Sequence, residues 1–190
     1  MGTRGAYGFI VDGKTKISYN HSDSYPSGLG KDIINFISRN RLAIIQKFAK
    51  SIKMVDSSKQ PTAPQLKKLV ALGIVEPDNK NEWYDILREF QGNLQQSFEN
   101  QNIFMTDEPN FVLDSLMCEY AYIINLDDGI LEFYEGFNEQ PILTGRFANT
   151  TSNRGYYAVR HVKNYPLEDL FACDSSIIVE DMENLTNEGD

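Results

Sequence analysis

The sequence is poor in reactive and ligating residues: two cysteines, two histidines and one tryptophan in 190 residues. Two lone cysteines make no disulfide framework, and no C-x-x-C spacing suggests a metal. Cys118 ("LMCEYAY") and Cys173 ("LFACDSS") each lie among apolar residues. Both are expected as buried, reduced thiols of a cytoplasmic protein. The histidines, His21 and His161, are too few and too far from the cysteines for a zinc site. Gly5-x-x-Gly8 and Gly28-x-Gly30 are too short for a dinucleotide fingerprint, which requires G-x-G-x-x-G between a strand and a helix. No cofactor is expected.

Long apolar runs are also missing. None approaches the roughly 18 residues needed to cross a bilayer. The start, "MGTRGAYGF", has no basic segment before an apolar one, so no signal peptide is expected. Ala6 stands where a myristoylation signal requires Ser or Thr. The expectation is a soluble protein without a membrane partner. Positive charge is in deficit as well: 18 Lys and Arg face 27 Asp and Glu, for a net charge of -9. That balance argues against direct nucleic-acid binding, because phosphates must be met by cations. The charge is polarised, with a basic region at 31–68 and six acids without Lys or Arg at 174–190. The acidic tail either keeps the chain soluble or meets a nucleic-acid-binding host protein.

The residues that are present describe one α+β domain over 1–173, followed by the tail at 174–190. At 41% hydrophobic, the chain can bury a substantial core. "GAYGFIVDGKTKISYN" reads as a hairpin, since Asp12-Gly13 supplies the positive φ angles of a two-residue turn. Along residues 14–20, Ile17 and Tyr19 share one face, and Lys16, Ser18 and Asn20 the other. Over 32–54, apolar residues recur at three- and four-residue steps, which predicts an amphipathic helix. Thr62 and Gln65 have capping-box spacing, and Gly73 suits a helix C-terminus. "NEWYDILREFQGNL" predicts a further helix, with Gln91-Gly92 interrupting it. "CEYAYIINLDDGILEFYEG" is a second hairpin with Asp128-Gly129 at its turn. "RGYYAVRHV" predicts one more strand, Pro166 starts a short helix, and the last dozen residues read as frayed. Strands, then helices over about 31–115, then strands again predict an antiparallel sheet from the two hairpins with a helical layer against it.

The densest chemistry is "YNHSDSYPSGLG", residues 19–30, at the end of the first hairpin. Loops at the end of a rigid strand favour binding sites. Asn20 offers donors and an acceptor, His21 an imidazole, Asp23 a carboxylate. Ser24, Tyr25, Tyr19 and Arg4 complete the candidate ligand-binding set. An ordinary alternative stands beside it: Asn, Asp and Ser before a Pro-Gly turn often cap the backbone. If the protein is an enzyme, His21 would be the acid/base, Asp23 its orienter and Asn20 an oxyanion donor. Pairing of either histidine with Asp23 to activate Ser22 or Ser24 lacks a G-x-S-x-G context.

These motifs carry a resemblance. Thr3-Arg4-Gly5 with Gly8, residues 19–30, Trp83, Gln91-Gly92 and residues 118–135 resemble a family of small, largely uncharacterised proteins from phages, bacteria and fungi. The resemblance implies membership rather than a known activity. A weaker likeness is to N-terminal-nucleophile amidases of the bile-salt hydrolase type. Those start Met-Cys-Thr, pass through a hairpin and end it in Arg-Asn-x-Asp. This chain has Met1-Gly2-Thr3, Asp12-Gly13, then Tyr19-Asn20 with Asp23 one residue late. The exposed cysteine is the nucleophile of those enzymes. Here Gly2 stands in its place, and Thr3 would serve only after a further cleavage. The likeness therefore implies a possible N-terminal-nucleophile-like sheet whose pocket, near Gly2, Asn20 and Asp23, binds without that nucleophile. Two functions follow. One is a phage-associated binding or inhibitory protein, a candidate host-defence antagonist, taking a small molecule or a host protein. The other is a hydrolase or transferase acting on an amide or nucleotide-like substrate through His21 and Asp23. Nothing in the sequence fixes an oligomeric state.

Overall fold

A computed structural model describes residues 2–171 and 173–187. The first hairpin is β1 (Gly5–Val11) and β2 (Lys14–Asn20). Its turn has Asp12 at φ 52° and Gly13 at φ 70°, the left-handed pair expected from the dipeptide. The second hairpin is β5 (Tyr120–Asn125) and β6 (Ile130–Glu135), and β7 (Arg160–Pro166) follows it at the edge. The sheet order is β2-β1-β5-β6-β7.

The two hairpins share one sheet, as the sequence predicts, but the sheet is mixed rather than antiparallel. β1 lies parallel to β5, with Gly5 opposite Tyr120 and Phe9 opposite Ile124. The reason is burial on both faces. Every residue of β1 is buried, whereas β2 begins with exposed Lys14 and Thr15. A strand apolar on both faces belongs at the centre, and each hairpin places its first strand there. Two such strands running side by side in the same sense are parallel.

The helical layer is α1 (Lys31–Arg39), α2 (Leu42–Ser51), α3 (Ala63–Ala71), α4 (Trp83–Leu87) and α5 (Leu94–Glu99). The single helix expected over 32–54 is two. Asn40 and Arg41 are extended; the Asn40 backbone N–H donates to Ile37 O (3.3 Å), and its side-chain Nδ2 donates to Phe36 O (2.8 Å) and Gln95 Oε1 (2.9 Å). Apolar periodicity does not register a break that keeps the same face buried. At the far end of α2, buried Lys16 donates to Ala49 O (2.7 Å), Lys50 O (3.3 Å) and Ile52 O (2.6 Å). A cation on the last carbonyls caps this helix from the sheet. Thr62 and Gln65 form the expected capping box. Two short strands, β3 (Lys53–Val55) and β4 (Phe104–Thr106), pair in parallel inside the segment read as purely helical. At three residues each, they are too short to show a period.

One face of the sheet packs Tyr7, Phe9, Tyr122 and Phe133 under α1 and α2, together with α6 (Leu167–Leu170) and α7 (Ser175–Asn187). The other face carries Ala6, Ile10, Ile17, Ile123 and Tyr134. Irregular chain covers it, including Val112, Phe147 and Val159. A third cluster joins Trp83, Leu69, Val55 and Phe104.

The tail is not frayed in its described part. Residues 175–187 form α7, and its Val179 and Met182 are buried in the main core; residues 188–190 lie outside the described residues. Asp181 accepts from Lys163 Nζ (2.8 Å) and Tyr165 Oη (2.7 Å), so one tail acid tethers the helix to β7. The strand expected over 154–162 begins only at Arg160, because residues 153–156 form a tight turn with Gly155 at φ 89°. Cys118 is buried as expected, and burial pushes its thiol pKa well above the ordinary value. Cys173 is only half-buried.

Candidate functional site

The segment after β2 is a folded loop rather than a display of free side chains. Asn20, 4% exposed, donates from Nδ2 to Ser22 O (2.6 Å) and Ser24 Oγ (2.8 Å). Ser24 is fully buried. Its N–H donates to Thr3 O (3.1 Å), and its carbonyl accepts from Tyr122 Oη (3.0 Å). Asp23 sits at φ 54°, with its carbonyl taken by Leu29 N–H (2.8 Å). A Cβ on Gly28 would fall 2.1 Å from that carbonyl oxygen, so only glycine permits this closure. The chain then makes one wide turn over Pro26–Gly30 and enters α1. Asn20 and Ser24 therefore spend their polar atoms on the loop itself, as backbone-capping residues do.

His21 differs from these. Its Nδ1 lies 2.8 Å from Oε1 of Gln91, 70 residues later. Gln91 follows α4 and the tight turn Arg88–Phe90, and Gly92 beside it has φ 73°. A Cβ at Gly92 would meet Asn20 Oδ1 at 2.7 Å. The buried Tyr7 hydroxyl, from β1, also interacts with the Gly92 backbone and Ser18; burial raises its pKa against those two contacts. Strand β1, the end of β2 and the Gln91–Gly92 turn are thus locked together.

A cleft of about 280 Å³ opens between them, walled by His21, Asp23, Asp32, Arg88, Gln91 and Asn93, with Asn20 and Ser22 at its edge. Burial raises the Asp32 pKa, opposed by Lys31 and Arg39. One wall is unfinished. Gln91 is 9% exposed, and its Nε2 is buried without a hydrogen-bond partner. An orphaned buried amide costs about 1–3 kcal/mol, so native structures hold few of them.

Of the residues singled out from sequence, Asn20, His21, Ser22 and Asp23 reach this cleft. Ser24 lies beneath it. Tyr25 is exposed, its hydroxyl 3.5 Å from Asp23 Oδ1. Tyr19 points to the opposite face of the sheet, edge-on to Phe111 at 4.8 Å. Arg4 donates to Met117 Sδ (3.5 Å), and its backbone N–H to Glu119 Oε1 (3.1 Å). The carboxylate of Asp23 does not hold His21; Gln91 does. Neither serine is joined to a histidine. Gly2 lies alongside, where a Cβ on it would stand 2.9 Å from Ser22 Cβ. Among the described residues, no group of three or more His, Cys, Asp or Glu could hold a metal. No described helix is long and apolar enough to cross a membrane. Sequence reading missed the roles of Asp32, Arg88 and Asn93, and it saw Gln91 only as a helix break and a family position. A Gln-Gly pair far from the motif gives no local sign of its partner.

A larger cleft, about 560 Å³, lies on the other face of the sheet beneath residues 138–147. Its floor carries Glu132, 5% exposed. Glu132 Oε1 accepts from Asn125 Nδ2 (2.8 Å) and Arg146 Nη2 (2.5 Å). Its Oε2 accepts from Tyr134 Oη (2.5 Å) and Arg146 Nε (2.9 Å). Burial alone would raise the Glu132 pKa, but the bonds from Arg146, Tyr134 and Asn125 bring it below the usual carboxylate range. His161 lines this second cleft, 2.7 Å from Asn164 Oδ1, and so is remote from His21 and Asp23. Comparison of the chain with family models, curated proteins and solved structures found no match.

Proposed function

We propose that the protein is a binding module that captures a small polar molecule in the cleft between the end of β2 and the Gln91–Gly92 turn. The observation that carries this reading is the orphaned amide of Gln91, hydrogen-bonded through its other atom to His21. A partly satisfied polar pair is costly in an empty site and favourable once a ligand completes it. The walls are polar and mostly side-chain amide, carboxylate and imidazole, with Leu29 as the one aliphatic contact. Such a lining recognises hydrogen-bonding groups rather than apolar surface.

The catalytic alternative draws less support. It needs Asp23 to orient His21, and Gln91 holds that place. A neutral amide does not stabilise an imidazolium as a carboxylate does. Neither Ser22 nor Ser24 is poised as a nucleophile, and Gly2 offers none.

The test is a thermal-shift screen of a polar metabolite library against wild type, His21→Ala and Gln91→Met. A bound ligand raises Tm by mass action. We expect compounds that stabilise wild type and neither variant. Stabilisation of all three proteins alike, or of none by any compound, would remove the cleft as the binding site. Turnover of a stabilising compound that depends on His21 would replace capture with catalysis.

A further inference from the structure

We infer that two copies of the protein pair through the helical layer, with α2 of each seated on α7 of the other. None of the residues involved lines the cleft beside His21, so the inference stands apart from the binding reading.

The reasoning starts from charge. Residues 31–68 hold nine Lys and Arg against two Asp, a net charge of +7. The rest of the chain holds nine against 25 acids, a net charge of -16. Within it, residues 167–187 carry six acids and no Lys or Arg. The fold keeps the basic and acidic blocks in one layer but apart. Both α2 and α7 pack into the core on the same face of the sheet. Lys50–Asp12 (3.0 Å) ties α2 to the first hairpin, and Lys163–Asp181 (2.8 Å) ties α7 to β7. That hairpin and β7 stand at opposite edges of the sheet. The layer therefore has a basic helix towards one edge and an acidic helix towards the other.

The outward faces of the two helices also match in shape. On α2, Ile45, Phe48 and Ala49 face the core. Ala43, Gln46, Lys47 and Lys50 are exposed, and their i, i+3, i+4, i+7 spacing forms the four-residue hole that accepts a knob from a facing helix. Ala43 leaves the hole open, and the exposed Leu42 and Ile44 flank it. On α7, Val179 and Met182 face the core, and Ile177 stands on the outward side, 60% exposed. Exposed Glu180 lies one turn further along the same side. Neither Glu180 nor Lys47 makes an ion pair among the described residues. Ile177 is the knob. Over Ala43 of a second copy it covers the aliphatic stems of Lys47 and Lys50, and Glu180 meets Lys47. Pairing α2 with α2, or α7 with α7, sets like charges together, which leaves the mixed contact as the favoured one. Because both helices belong to one layer, a two-fold axis between them makes the contact twice and closes the assembly at two copies. A contact this narrow and polar gives a reversible dimer rather than an obligate one.

Sedimentation velocity of the full chain across micromolar concentrations, at low and high salt, tests this. We expect a monomer–dimer equilibrium that weakens with salt. Lys47→Glu and Glu180→Lys should each weaken it about tenfold, since symmetry places each reversal in the interface twice. Both reversals in one chain should restore it, which a folding defect or a contact elsewhere would not. Ile177→Asp should abolish the dimer, and Ile177→Leu should keep it. A chain that stays monomeric, a mass that grows past two copies, or a dimer that the double reversal fails to restore would overturn the inference. So would a monomer whose Lys47 instead governs co-sedimentation with anionic phospholipid vesicles, which would assign the basic helix to a membrane surface.

Discussion

The two faces of the sheet hold two polar clusters, and they differ in how completely they are paired. Around Glu132, both carboxylate oxygens are filled by Asn125, Tyr134 and Arg146, and the cleft above is the larger one. Around His21 and Gln91, one amide nitrogen is buried and unpaired, and the cleft is half the size. Volume would favour the first as the functional site. Pairing favours the second. A satisfied buried network rigidifies its surroundings, whereas an unsatisfied polar group costs stability. The Glu132 cluster has a structural task in view: Arg146 lies in the irregular segment that covers this face, and the ion pair pins it to β6.

Truncation should break this comparison most sharply at Glu132. Glu132→Ala strands Arg146, Tyr134 and Asn125 together. Breaking a buried pair from one side costs about 3 kcal/mol, which urea unfolding followed by fluorescence of buried Trp83 would measure. A loss below ~1 kcal/mol would mean that the segment is held by Phe147 and Val159 alone. Gly92→Ala should come next, at about 2 kcal/mol. It forces alanine to φ 73° and drives a Cβ into Asn20. The same variant should lose ligand-induced stabilisation, which separates it from the Glu132 variant.

Acid provides a third test. Glu132 has a folded pKa below its unfolded value, near 4.5. Its contribution is therefore fully present above that value and is lost as pH falls through the folded pKa. Stability should drop on acidification below about pH 4.5, and Glu132→Gln should flatten that part of the curve. An unchanged slope would show that other carboxylates dominate. The smallest effect is expected at Gln91. Gln91→Met removes an orphaned donor and keeps volume, so stability should change by less than ~1 kcal/mol, in either direction. Large destabilisation would recast Gln91 as a structural clamp.

Local signals in the sequence translated directly into structure. Asp12-Gly13 and Thr62/Gln65 needed only their neighbours to act, and each formed the turn or cap that its residues specify. The alternation of Tyr19 against Asn20 was also legible, and it explains why the two face opposite sides. What it could not show is that the cleft beside His21 lies on the Asn20 side. Nor could it distinguish Asn20 and Ser24, which close the loop, from His21, which meets a partner. The sequence-level reading of 31–115 as purely helical failed at β3 and β4, where three residues each follow their pairing partner rather than any period of their own.

The sequence by itself determined the two hairpins, the apolar faces of the helices and the loop that follows β2, because turns, caps and periodicity act between near neighbours. Tertiary structure decided the parallel β1–β5 seam, the docking of α7 and the meeting of His21 with Gln91. Those depend on which buried surfaces find each other, and a hydrogen bond across 70 residues has no trace in either local segment.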